Sequence, residues 1–248
     1  MNEAAASRRG WGFWAFIGLM LGLMALFVGL GAWQVQRLEE KEQLIDSVAT
    51  RFELTPVSLP PEAEWSAFDT EAWAYRPVTL TGSYLPAQTV LVFTSLVAPQ
   101  GPRSGPGYWV MTPMQLTTGG VVFINRGFVP QEQGPAFLGG GAPEAGTLTL
   151  TGIARAPEAT GSFTPVADVT GRIEWVRDPQ RLAGLVGTLP GPVAPVYVDL
   201  LAGPDAALPQ GGETVVSFPN NHLGYAITWF GFALLVPPLL WFWARRQR

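Results

Sequence analysis

GWGFWAFIGLMLGLMALFVGLGAWQVQ, residues 10–36, runs from Arg9 to Arg37 without a charged side chain. A helix rises about 1.5 Å per residue and a bilayer core is about 30 Å thick, so this stretch is long enough to cross. It predicts a transmembrane helix over 11–33. The following QRLEEKEQLIDSV, residues 36–48, extends the helical pattern beyond the span. A cleavable leader has a shorter apolar run and an Ala-x-Ala site, so the span reads as a permanent anchor. A second stretch lies between Glu213 and Arg245, with its apolar part over 223–244. It predicts a second transmembrane helix. Pro237 and Pro238 sit inside it, where a spanning helix tolerates them as a kink rather than an end.

The distribution of charge orients these spans. Charged residues are only 14% of the chain, against 48% hydrophobic, well below the quarter usual in soluble domains. Arg8 and Arg9 precede the first span, and Arg245, Arg246 and Arg248 follow the second. Between them the chain carries ten basic and eighteen acidic residues. The positive-inside rule then predicts a multi-pass protein of the plasma (inner) membrane. Residues 1–10 and 245–248 are cytoplasmic tails, and 34–222 form an extracytoplasmic or periplasmic domain. Trp11, Trp14, Trp33, Trp241 and Trp243 fit interfacial belts. The acidic central segment lacks the basic footprint of a nucleic-acid partner. With no Cys in the chain, disulfides, thiolate metal sites and thiol nucleophiles are excluded.

The central segment changes period. Val78, Leu80, Gly82 and Tyr84 alternate with Thr79, Thr81 and Ser83, a strand pattern. Further strands are predicted over 89–97, 108–116, 121–129, 147–154, 195–201 and 213–218. Gly119-Gly120 makes the third and fourth a hairpin. Residues 56–64 and 131–145 read as loops. Asp178-Pro179 opens a short helix, with Asp as cap and Pro at the first helical position. The expected fold class is a membrane protein of α+β type: two terminal transmembrane helices flanking a mostly antiparallel β barrel or sandwich.

No P-loop, GxGxxG, HExxH or GxSxG stands in the chain, and one His cannot build a multi-histidine metal site. The chain is not expected to be an enzyme. That single histidine, His222, follows Asn220 and Asn221 and directly precedes the second span. Its position admits two roles: a polar anchor at the helix start, or a ligand at the junction of domain and bilayer. Tyr225 and Trp229 are four apart and share a helix face, with His222 close to it. Arg126 has an ordinary reading as an ion-pair partner or a cap on buried carbonyls. Its alternative is a partner for a ligand carboxylate.

Five pieces in order carry a family resemblance. They are GAWQVQRLEEK (31–41), YRPVTLTGSY (75–84), the set Gly107, Val110, Thr112 and Pro113, NRGFVP (125–130) and FPNNHLGYAITWFG (218–231). On the same two-span topology they resemble the SURF1 family, with Phe128 where the family has Trp. The resemblance implies an assembly factor for a haem-copper terminal oxidase that binds haem a and helps its insertion into subunit I. The haem a synthase and oxidase subunit I are the implied protein partners, beside the lipid bilayer.

The family's histidine falls on His222, which makes it the expected axial ligand to haem iron. Tyr225 and Trp229 would line the ring, and Arg126 would meet a propionate. One His supplies one axial bond. The other falls to water, Met, a partner, or a second copy of this chain in a homo-oligomer. Trp33, Gln34 and Arg37 are expected to contact an oxidase subunit or the second helix, and Asn221 to contact a partner or have a structural role. Two alternatives remain: a membrane scaffold for oxidase intermediates that binds no haem, and a cell-envelope enzyme.

Overall fold

The computed structural model describes residues 10–97, 99–201, 207–213 and 220–247. The chain divides into two compact units, Met1–Ser47 with Ser217–Arg248, and Val48–Val216.

Helix α1 spans Trp11–Phe52. The strands are β1 (Val57–Ser58), β2 (Pro77–Tyr84), β3 (Val90–Leu96), β4 (Gly105–Leu116), β5 (Val121–Pro130), β6 (Leu148–Arg155), β7 (Ile173–Glu174) and β8 (Val193–Leu200). Short helices α2 (Thr70–Trp73) and α3 (Pro179–Ala183) interrupt them, and α4 (His222–Arg246) ends the chain. Six of the expected strands appear within three residues of their predicted ends. The strand expected over 213–218 lies almost wholly outside the described residues. Residues 131–145, expected as loop, open with a 3-10 helix, Gln131–Phe137. The loop expected over 56–64 holds β1 and the start of another 3-10 helix, Glu62–Ala67. Asp178 caps α3 by accepting from the backbone N–H groups of Gln180 and Arg181, as its sequence predicts.

The sheet closes on itself. Around the ring β2 pairs β6, β6 pairs β8, β8 pairs β5, β5 pairs β4, and β4 returns to β2. All of these pairs are antiparallel except β5–β8. This is a five-strand Greek-key barrel, with β1, β3 and β7 as outer additions. Closure turns on Gly82, which pairs with both Leu148 of β6 and Leu116 of β4. A Cβ there would lie 2.2 Å from the Gln115 carbonyl oxygen, so only glycine lets the strands meet.

Alternation along the ring strands builds two cores. Val78, Leu80, Met114, Leu116, Val122, Ile124, Ala154, Val196 and Val198 fill the barrel interior. Their neighbours Phe123 and Tyr197 point the other way. They join Val90, Val92, Trp109, Met111 and Phe128 under Leu182 of α3 and the chain that follows it. Covered on both faces, β4 and β5 are buried nearly throughout. Where β2 and β6 face outward, threonines replace apolar residues: the Thr81 and Thr149 hydroxyls meet across the strands at 2.9 Å.

The other unit is a pair of helices, each long and apolar enough to cross a membrane. Less exposed residues on α1 include Phe13, Ile17, Met20, Met24, Phe27, Gly31, Gln34 and Leu38. On α4 they include His222, Ala226, Trp229, Ala233, Val236, Leu240 and Trp243. Steps of four and three alternate in both, the 3.5-residue repeat of a left-handed helix pair. The helices run antiparallel. Phe13 stacks on Trp243 at 5.1 Å, Phe27 on Trp229 at 5.8 Å, and Gln34 reaches His222. Helix α4 continues through Pro237 and Pro238. The outward faces of both helices bear exposed Leu, Val, Ile and Phe side chains, a surface suited to lipid.

Candidate functional site

The one histidine sits in the first turn of α4, and its ring is already engaged. His222 Nδ1 lies 2.8 Å from Gln34 Oε1 on α1. An amide oxygen can only accept, so Nδ1 carries the proton. In the neutral ring the lone pair is then at Nε2. Gln34 is buried and comes from the WQ pair of the 31–41 signature. A residue expected to touch either an oxidase subunit or the second helix thus touches the second helix.

Packing holds this pair in place. Below it Gly31 faces Phe230 so closely that a Cβ would come within 2.7 Å of the ring. The next rung is Trp229 against Phe27, with Phe232 edge-on to Trp229. At the helix start, Asn220 Oδ1 accepts from the His222 backbone N–H at 3.3 Å. Asn221 occupies the N-cap position without a side-chain capping bond.

The other expected residues separate. Trp229 shares the buried seam with His222, but Tyr225 turns out of it and is more than half exposed. It borders a shallow depression with Asn221 and Thr228. Three-residue spacing from His222 was too coarse to show this, because a 3.5-residue seam passes between positions 225 and 226. Trp33 is half exposed, and the exposed Arg37 pairs within its own helix with Glu40. Neither belongs to the seam.

Arg126 belongs to the barrel unit. Its guanidinium donates to the Gly140 carbonyl and lies 5.4 Å from the centre of the Tyr84 ring. The carbonyl-capping role expected of it is therefore present. Within the same NRGFVP segment Asn125 joins β5 to β8. It donates to Asp199 Oδ1 at 2.8 Å and accepts from the Gly127 N–H.

Sequence reasoning missed Asp199, the centre of a buried charge network. Arg155 donates to its Oδ2 at 2.9 Å, and Arg177 lies 3.7 Å from Oδ1. Arg177 also binds Glu158 and rests over the Trp109 and Tyr197 rings. Burial opposes the Arg177 charge, but Tyr197, Asp199 and Glu158 hold its ionisation above the ordinary arginine value. Burial also works against the Glu158 carboxylate, yet Arg177 outweighs it and lowers the Glu158 pKa. One acid in the apolar run VYVDL was the available signal.

A family model described as SURF1 family matches residues 21–234. A SURF1-like protein of Monosiga brevicollis is 32% identical over 99% of this chain and 92% of its own length. A SURF1-like protein of Drosophila melanogaster is 32% identical over 97% of this chain and 80% of its own. Surfeit locus protein 1 of Homo sapiens is 31% identical over 86% and 72%. The family-model match takes in the barrel, Gln34, His222 and the adjoining parts of both long helices, and the chain belongs to the SURF1 family.

Proposed function

We propose that this protein is a membrane-anchored assembly factor for a haem-copper terminal oxidase. It holds haem a as cargo through His222 and passes it from the haem a synthase to oxidase subunit I. Family membership supports the assembly role. The observation that carries the haem reading is the His222–Gln34 bond. Ligating histidines characteristically donate their second ring N–H to an oxygen acceptor, which fixes the tautomer and aims the free nitrogen. Gln34 does this for Nδ1 and leaves Nε2 as the ligand atom. Trp229 and Phe27 offer an aromatic wall at the same end of the helix pair. A single protein ligand suits a carrier that must release what it holds. In this reading the helices span the plasma membrane with both termini cytoplasmic, and the barrel lies outside.

The same bond also supports a second reading, a scaffold without haem. A buried polar pair between two apolar helices fixes their register, and such pairs stabilise membrane helix contacts. The test is the absorbance spectrum of the full-length protein purified from cells that synthesise haem a, wild type beside H222A. The haem reading expects a reducible haem a spectrum that H222A loses. Equal haem content and an unchanged spectrum in H222A would eliminate His222 as ligand. Absence of haem from a wild type that still supports oxidase assembly would leave the scaffold.

A further inference from the structure

The barrel carries a cavity that His222 has no part in. It has a volume of about 290 Å³ and lies among Tyr84 at the end of β2, Arg126 on β5, Leu148 and Leu150 on β6, Leu200 on β8 and the loop through Glu144. Leucines and Pro209 make one wall apolar. Arg126 and Tyr84 make the other polar.

The charge balance here is unlike that of the rest of the barrel. Arg155, Arg177 and Arg181 each sit against a buried or half-buried carboxylate. Arg126 is also partly buried, yet among the described residues no carboxylate comes within ion-pairing distance of it. A guanidinium has five N–H donors, and one of them meets the Gly140 carbonyl. Partial burial of a cation without a counter-charge is unfavourable. Burial accordingly lowers the Arg126 pKa, although Tyr84 acts in the opposite direction. Burial pushes the Tyr84 hydroxyl up to about 12, so it remains a protonated donor at neutral pH.

We propose that this cavity binds an alkyl carboxylate: the carboxylate pairs with Arg126, Tyr84 is a second donor, and the leucine wall takes the stem. The planar guanidinium fork matches a carboxylate better than a point charge would. Glu144, exposed at the rim, disfavours dianions such as phosphate. The volume, at the lower end for small-molecule sites, limits the stem to a short one. Two sources present this chemistry, a free short-chain acid and the propionate arm of a haem. The site does not rest on haem ligation by His222.

The test is titration of the full-length protein in a non-ionic detergent with carboxyl-labelled hexanoate, followed by carbon NMR. Saturable binding is expected, with hexanol and inorganic phosphate unable to compete. R126Q should weaken it about tenfold or more, the scale of a lost charge-assisted pair. L148W keeps the charge but fills the apolar wall, and it should weaken binding too; it carries the test if R126Q fails to fold. Displacement of hexanoate by haem but not by haem dimethyl ester identifies a propionate as the occupant, and displacement by neither identifies a free acid. No saturable binding to the wild type, or wild-type affinity in a folded R126Q or in L148W, overturns the proposal.

Discussion

Asp199 is 1% exposed, and two guanidiniums and an amide converge on it. Removing a buried partner costs more than the pair contributed, because the opposite charge is left desolvated. D199A should therefore lower the unfolding free energy by about 3–5 kcal/mol. D199N keeps hydrogen-bonding capacity and should fall between it and wild type. Denaturant midpoints of the full-length protein would rank the three. Glu158 adds a pH dependence. Its folded pKa is depressed, so its contribution is complete above the ordinary glutamate value, about 4.3, and is lost as pH falls through the lower folded value. Melting temperature should fall more steeply for wild type than for E158Q on acidification below pH about 4; parallel curves would assign the acid sensitivity elsewhere. At the helix pair, Q34L leaves Nδ1 of His222 without its acceptor. If His222 ligates haem, Q34L should weaken haem affinity about 10- to 100-fold, the usual effect of losing such a partner. His222 was visible in the sequence because it is the single histidine. Gln34 was visible only as part of a signature, since nothing local joins residues 188 positions apart. Asp199 was hidden because its partners Asn125, Arg155 and Arg177 come from three separate segments.

At the scale of elements, local pattern and long-range geometry part company. The strands and the β4–β5 hairpin followed from alternation and a Gly-Gly turn, because both are set by neighbouring residues. Ring closure was not readable. It depends on β2 passing from β6 to β4 at Gly82, and on the parallel β5–β8 pair. G82A places a methyl group against the Gln115 carbonyl and should cost about 1–3 kcal/mol, the range for overpacking. The helix seam gives a second element-scale prediction. G31L should force Phe230 away and loosen the pair, and F230A should restore it, a non-additive result. Cysteines at Phe16 and Trp243, whose rings lie 4.3 Å apart, can report this through a short bifunctional thiol reagent, since the chain has no other thiol. Cross-linking by that reagent should be efficient in the parent, poor with G31L and recovered with F230A added. Equal cross-linking in all three would mean that Gly31 does not set the approach. The helix α2 escaped notice although Asp69 caps it, because four residues are too few to show a period.

At the scale of the whole chain, the antiparallel helix pair constrains topology more tightly than charge counting alone. Phe13 against Trp243 puts the start of α1 beside the end of α4, and Gln34 against His222 puts the later part of α1 beside the start of α4. If both helices span one bilayer, residues 1–10 and 247–248 share one side. Everything between Phe52 and Asn220 then lies on the other. The five tail arginines decide which side is which. Arg8 and Arg9 precede α1 in the sequence and Arg245, Arg246 and Arg248 fall at or after the end of α4, whereas the intervening segment is acidic. Basic residues beside a span are retained in the cytoplasm, so the tails are predicted to be cytoplasmic and the barrel extracytoplasmic. Arg37 and Lys41 lie at the opposite end, but they are two basic groups preceding a long translocated domain, whose charge has little effect on orientation. Because the natural chain has no cysteine, each substituted thiol reports alone. Ser162→Cys lies on an exposed stretch of the barrel unit and should react with an impermeant thiol reagent in intact cells. Ser7→Cys and Gln247→Cys should react only after the membrane is opened. Labelling of both tails but not Ser162→Cys would invert the topology and place His222 at the cytoplasmic face. Labelling of one tail alone would mean that only one of the two helices crosses.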